Sequence, residues 1–178
     1  MAYWLVAALW SKKIKVSESS VSRAIHYLVL TLAFLILAFH DSIPRQMDWR
    51  LWQGNKFTFW SGAIVMLVGL GFAVWARIHL GRFWSGAITL KEGHRLIRSG
   101  PYQFVRNPIY TGILAGATGT VIALGTFSGI VALAIIFAVF SWKIRREERL
   151  LTGEFGEEYA AYCREVPALL PFKRNARS

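Results

Sequence analysis

Two stretches of this chain concentrate the residue types that chemistry needs. The first runs Gly93-His94-Arg95-Leu96-Ile97-Arg98-Ser99-Gly100-Pro101-Tyr102-Gln103-Phe104-Val105-Arg106-Asn107-Pro108-Ile109-Tyr110, mixing turn residues, rings and cations immediately before a long apolar run. Gly100-Pro101 predicts a turn. Asn107-Pro108 predicts a helix start, with asparagine as N-cap and proline where the amide has no intrahelical partner anyway. Turn and cap formation explain those four residues as well as a site does. They do less for His94, Tyr102, Arg106 and Tyr110, which follow no single apolar stripe and are residue types that a cofactor pocket would use. The second stretch, Lys143-Ile144-Arg145-Arg146-Glu147-Glu148-Arg149-Leu150-Leu151, is followed by Phe155-Gly156-Glu157-Glu158-Tyr159 and Tyr162. Lys143, Glu147 and Leu151 are spaced i, i+4, i+8 and share one helix face. Spacing alone favours a salt-bridged helix at a membrane surface, in contact with anionic headgroups, over a pocket wall.

Other chemistries find no support. The one cysteine, Cys163, excludes an internal disulfide and a cysteine-based zinc site, and His26, His40, His79 and His94 are too dispersed for a metal cluster. Gly69-Leu70-Gly71 lacks a third glycine and a preceding strand, so it is no dinucleotide fingerprint, and the chain contains no phosphate loop or nucleophile elbow. The net charge of +11 does not point to nucleic acid, because the basic residues interrupt apolar spans instead of forming a patch with interleaved aromatics.

The elements that must position these residues are membrane helices. Apolar residues make up 54% of the 178, high for a soluble domain. Three runs carry no charge: Ala24 to His40, Phe57 to Ala76, and Asn107 to Trp142. The first two suit one crossing each. The third, 36 residues, would make a helix of roughly 54 Å against a hydrocarbon core of roughly 30 Å, so it predicts a hairpin. Its turn is expected at Gly125-Thr126-Phe127-Ser128-Gly129. Met1 to Trp10 is apolar but too short to cross, and no segment has the order of a removable signal peptide. The expected fold is therefore all-α: an integral membrane helical bundle of four full transmembrane helices, a short N-terminal apolar helix and a C-terminal helical segment. We expect a single domain over 1–178, with membrane helices in 1–89 and the motif, hairpin and C-terminal segment in 90–178. Lys12, Lys13, Lys15 and Arg23, then Arg77 to Arg106, then Lys143 onward, put the basic segments on the cytoplasmic side. Gly112, Gly116 and Gly119 form a small-residue packing face, and Trp49, Trp52, Trp60, Trp75 and Trp84 suit an interfacial belt.

Over roughly 90 to 172 the sequence resembles the isoprenylcysteine carboxyl methyltransferase family, in particular its short bacterial members. The family's His, an eight-residue step to Tyr, and Arg-His-Pro-x-Tyr correspond to His94, Tyr102 and Arg106-Asn107-Pro108-Ile109-Tyr110. Its paired glutamates, Phe-Gly-Glu-Glu-Tyr, and closing Val-Pro and Leu-Pro-Phe correspond to Glu147-Glu148, Phe155 to Tyr159, Val166-Pro167 and Leu170-Pro171-Phe172. The resemblance implies an S-adenosylmethionine site, with S-adenosylhomocysteine as product. His94, Arg95, Leu96, Ile97, Tyr102, Asn107, Pro108, Ile109, Tyr110 and Glu147 would hold the cofactor, and Lys143 would bind substrate. Asn107 stands where the family usually has histidine, and Lys143 where it has arginine, a point charge in place of a bidentate fork.

A carboxylate acceptor needs no general base, since its pKa of about 4 leaves it ionised at neutral pH. The implied function is O-methylation of an isoprenoid or other lipid-like carboxylate that enters from the bilayer. Arg106, Arg146 or Lys143 would orient it. N-methylation of an aminophospholipid, with Glu148 taking the proton, is the competing enzyme reading, and a non-catalytic lipid-binding scaffold is the third. The expected partners are membrane lipids and a lipophilic or lipidated substrate, with no nucleic acid and no metal. The expected location is the membrane, the inner or plasma membrane if the source is bacterial, with the active site facing the cytoplasm.

Overall fold

The computed structural model describes residues 14–17, 20–44, 49–81, 89–91 and 96–171. Its helices are α1 (Ser20–Ala38), α2 (Lys56–Leu80), α3 (Pro108–Leu124), α4 (Phe127–Phe155) and α5 (Glu157–Glu165). Each uncharged run of the sequence thus becomes helix, the longest becoming two. Met1 to Trp10, Trp84, His94, Arg95 and Phe172 lie outside the described residues.

The long run reverses at Gly125 and Thr126. Gly125 sits at φ +67, and the Thr126 hydroxyl caps α4 by accepting the Gly129 amide at 3.2 Å. The reversal is tighter than the five residues expected, since Phe127, Ser128 and Gly129 already belong to the first turn of α4. Residues 49–52 strap this end of the bundle. The Leu51 amide donates to the Gly125 carbonyl at 2.7 Å, and the Phe127 amide to the Trp49 carbonyl at 2.9 Å. Trp52, expected in an interfacial belt, donates its indole N–H to the Ile122 carbonyl at 3.0 Å. It locks the turn, whereas Trp49, Trp60 and Trp75 are exposed as a belt requires.

The small-residue face of α3 has a partner on α2. A Cβ added to Gly62 would lie 2.4 Å from the Gly119 carbonyl oxygen, and one added to Gly112 would lie 2.4 Å from that of Gly69. The two backbones therefore touch, running antiparallel, as only glycine-lined helices can. On the other side α1 lies along α4, and Ala33, Leu37, Ala117, Val121, Ala132, Ile136 and Phe140 fill the space between α1, α3 and α4.

Large apolar side chains cover the outside. Leu67 is 65% exposed and Val68 68%, with Ile25, Leu28, Phe59, Ile64 and Phe137 exposed beside them. So much outward apolar surface is unfavourable in water and ordinary in a bilayer. Both α2 and α4 are long and apolar enough to span one, while the apolar part of α1 (Ala24–Ala38) and α3 are shorter. The chain is an integral membrane protein.

Two features depart from expectation. The chain is not wholly helical, because Ile14–Ser17 pairs antiparallel with Thr89–Lys91. β-Branched Ile14, Val16 and Thr89 favour extended backbone, but runs of four and three residues are too short to read as strands. The second span also runs past Ala76 to Leu80, taking Arg77 and His79 into α2, where the Arg77 cation near the helix C-terminus meets a favourable dipole.

Candidate active site

The site lies at the end of the bundle where α2 finishes, α3 begins and α4 leaves its apolar stretch. Its floor is a short 3-10 turn, Gly100–Gln103, set by Gly100 at φ +60 and by Pro101. Gly100 fits against the His79 ring, where a Cβ would come within 2.7 Å of Cε1. His79 Nε2 shares a hydrogen bond of 2.9 Å with the Ser99 hydroxyl, and its ring stacks on Tyr102 with centroids 6.4 Å apart. The end of α2 is thus keyed to the turn carrying Tyr102. Arg77, buried one turn earlier, donates from Nη1 to the Gly81 carbonyl at 3.1 Å.

In the first turn of α3, the Tyr110 hydroxyl donates to Glu147 Oε1 at 2.9 Å. The Tyr110 ring packs on Phe140 at 4.9 Å, and buried Lys143 places its Nζ 5.6 Å from the ring centroid. The i, i+4 spacing of Lys143 and Glu147 brings a cation and a carboxylate to one tyrosine.

Arg106 and Glu148 form the second focus. Arg106 Nε and Nη2 donate to Glu148 Oε1 at 3.0 and 2.8 Å, and Nη1 donates to the carbonyls of Cys163, at 3.2 Å, and Val166. The amides of Arg106 and Asn107 donate to the carbonyls of Pro167 and Ala168 at 2.9 and 3.1 Å. Thr111 adds a bond from its hydroxyl to the Leu169 carbonyl at 2.7 Å. Asn107 occupies the cap position of α3, as expected, but makes no side-chain cap bond. Its Nδ2 instead donates to Ala168 O at 3.2 Å and lies 3.5 Å from Glu148 Oε1, because the carboxyl-terminal segment offers acceptors on that side.

The electrostatics follow from this packing. Burial raises the Tyr102 phenol, helped by Tyr162 and Glu147 and opposed by Arg77. Burial pushes Tyr162 up to about 12 against the cations Arg106 and Arg98, and it raises Tyr159 and the Cys163 thiol as well. The Tyr162 hydroxyl stays protonated and donates to the Tyr102 carbonyl. For Arg106 burial acts to lower the value, but the Glu148 carboxylate outweighs it and holds the guanidinium charged. The arrangement offers neutral phenol donors and fixed charges, suited to binding and orienting a polar ligand.

The structure brings together Tyr102, Arg106, Asn107, Pro108, Tyr110, Lys143, Glu147 and Glu148. Pro108 is fully buried and Ile109 half-buried at the start of α3. Leu96 packs on the cluster of Tyr159, Tyr162 and Val166, and Ile97 is half-buried beside it in sequence. Arg146 stands apart, exposed, with its guanidinium 5.1 Å over the Trp142 ring. Arg77 and His79 were missed as site residues, since Arg77 read only as a signal of topology and His79 only as one of four dispersed histidines. A periodicity would have found Arg77: it follows Gly69 and Ala73 in steps of four, which places it on the same buried face of α2.

Residues 57–158 match the family described as phospholipid methyltransferase, which makes the chain a membrane methyltransferase. A probable protein-S-isoprenylcysteine O-methyltransferase of Oryza sativa subsp. indica is 31% identical over 95% of this chain and 88% of its own. Protein-S-isoprenylcysteine O-methyltransferase B of Arabidopsis thaliana is 29% identical over 89% and 80%. The chain belongs to the isoprenylcysteine carboxyl methyltransferase family. A solved eukaryotic intramembrane Ras methyltransferase of that name shares the fold, with a TM-score of 0.60 at 22% identity over 89% of this chain. The chain spans about half, 55%, of that solved protein.

Proposed function

We propose that this enzyme transfers a methyl group from S-adenosylmethionine to the carboxylate of an isoprenoid or otherwise lipidated acceptor, free or carried on a protein. The observation that carries this reading is the convergence of Lys143, Tyr110 and Glu147. The donor set suits the cofactor. Glu147, oriented by Tyr110, is an acceptor for ribose hydroxyls or an amino group. S-adenosylmethionine, when bound, supplies an electrophilic methyl group whose transfer to a carboxylate oxygen leaves a neutral thioether.

The remaining work belongs to the protein. Lys143 orients the acceptor carboxylate as a compact charge, and no residue has to remove a proton because the acceptor is already ionised at neutral pH. Alignment and exclusion of water then supply most of the rate. A groove of about 580 Å³ between α1 and α4, lined by Val21, Ile25, Val29, Ala138, Val139 and Trp142, supports a hydrocarbon tail on the acceptor. In this reading all four of α1 to α4 cross the bilayer, and the basic segments face the cytoplasm, from which the polar donor enters.

Calorimetry tests the donor half. Glu147→Ala should abolish measurable S-adenosylmethionine binding in detergent, and unchanged affinity would sink the assignment. Product chemistry tests the acceptor half, because an ester releases methanol in base. The family description favours a second reading, N-methylation of an aminophospholipid. That reaction leaves a base-stable label and must first deprotonate an ammonium, and the carboxylate named for the task, Glu148, is held by Arg106.

A further inference from the structure

Arg106 is, with Arg146 and Lys143, a candidate to orient the acceptor carboxylate, and its surroundings argue for another task. A guanidinium has five N–H donors in a fixed plane, and it grips a carboxylate by presenting two of them side by side. Here Nε and Nη2 both point at Glu148, and Nη1 serves the carbonyls of Cys163 and Val166. Four of the five donors have partners within the protein, and no edge of the fork is left to take a second carboxylate. The pair is also enclosed, with side chains 11% and 23% exposed. Removing Arg106 from Glu148 to meet a substrate would strand a half-buried carboxylate and two carbonyls at once.

The same bonds join three segments distant in sequence. Arg106 stands at the entrance to α3, Glu148 on α4 beyond its apolar part, and Cys163 to Leu169 at the end of α5 and after it. The backbone of that last segment is matched to α3 by Arg106 N–H, Asn107 N–H, Asn107 Nδ2 and Thr111 Oγ1. Glu147, neighbour to Glu148, faces Tyr110 one turn into α3. Whatever fixes Glu148 against α3 therefore also fixes Glu147.

We propose that Arg106 and Glu148 are positioning residues, a latch fastening the carboxyl-terminal segment and α4 to the start of α3, and that neither touches the acceptor. The inference rests on the methyltransferase reading above for its kinetic consequences, but the latch can be observed without turnover.

The experiment compares the full chain with Arg106→Gln, Arg106→Lys, Glu148→Gln and the Arg106→Gln/Glu148→Gln double variant in detergent. Steady-state methylation of an S-prenylated cysteine carboxylate gives KM for donor and acceptor. Hydrogen exchange reports protection of the Arg106 and Asn107 amides and of 163–169. A latch predicts that Arg106→Gln and Glu148→Gln each lower that protection and raise the donor KM about tenfold, with the acceptor KM unchanged within about twofold. The double variant should be no worse than either single one, because both remove the same link. Arg106→Lys keeps the charge without the fork and should fall between. The proposal is overturned if Arg106→Gln raises the acceptor KM tenfold while Glu148→Gln does not, or if protection survives both changes. If the wild-type chain transfers no methyl group, the methyltransferase reading fails, and exchange alone still decides whether the latch exists.

Discussion

Gly112→Ala tests how strictly the α2–α3 seam sets the site. The added Cβ would lie 2.4 Å from the Gly69 carbonyl oxygen and 2.6 Å from the Ala73 nitrogen, both backbone atoms that no rotamer change can move. Ordinary contact needs about 3.4 Å, so the helices must part by roughly 1 Å. Overpacking of this kind costs about 1–3 kcal/mol, and a backbone clash belongs near the top of that range. Replacing a helical glycine by alanine returns roughly 1 kcal/mol. The net loss is about 2 kcal/mol, which at about 2–4 °C per kcal/mol lowers the melting temperature by roughly 4–8 °C. Two neighbours provide controls. Gly71→Ala meets nothing within 4 Å and should be neutral or stabilising, while Gly116→Ala meets the movable Leu70 side chain at 3.3 Å and the Met66 carbonyl at an ordinary 3.8 Å and should change little. Since the seam also sets His79 against Tyr102, Gly112→Ala should raise the donor KM in proportion. Thermal unfolding in detergent reads all three, and equal melting temperatures for the Gly112 and Gly71 variants would refute the account of the seam.

Three further outcomes follow from the geometry. Tyr110→Phe removes a hydrogen bond to a charged group, a loss of about 1.5–3 kcal/mol, so donor affinity measured by calorimetry should fall roughly tenfold to a hundredfold. Because burial pushes Tyr162 up to about 12, its neutral form is favoured in the fold. Its contribution is whole below about pH 10, where the unfolded chain ionises, and is lost as pH rises through about 12. Melting temperature should therefore decline above about pH 10, and Tyr162→Phe should flatten part of that decline. Trp52→Phe deletes the bond to the Ile122 carbonyl, lowering stability by about 0.5–1.5 kcal/mol while leaving kcat and KM alone, since Trp52 lies at the opposite end of the bundle.

The hairpin was legible because a bilayer has a thickness: 36 uncharged residues cannot be one crossing, and Gly125 supplies the left-handed conformation at the reversal. Tyr110, Lys143 and Glu147 were legible as types and spacing, one of them in a helix start and two on one face. The partners of Arg106 were not. Besides Glu148 they are carbonyls 57 and 60 residues away, and a carbonyl carries no side-chain signature in a sequence. Asn107 misled for the same reason, as its amide had a better acceptor at Ala168 than the cap bond its position suggests. The ribbon of Ile14–Ser17 with Thr89–Lys91 escaped because its strands are shorter than any period can reveal.

The two departures from the family pattern fall on opposite sides of the site. Asn107 belongs with the latch, where its two donors reach Ala168 and Glu148 and a ring offering one N–H in its neutral form would satisfy only one of them. That substitution concerns how the wall is held. Lys143 faces Tyr110, one turn before Glu147 on a helix that runs unbroken from Phe127 to Phe155. A rigid helix with one end in the apolar bundle fixes how far from the membrane core its ammonium stands. The fork of Arg106 is occupied by Glu148 and two carbonyls, while Lys143 faces Tyr110. A point charge holds a carboxylate without dictating its plane, so this site should tolerate a wider range of carboxylate geometries than an arginine would. In the proposed reaction, acceptor selectivity should then fall to the groove between α1 and α4.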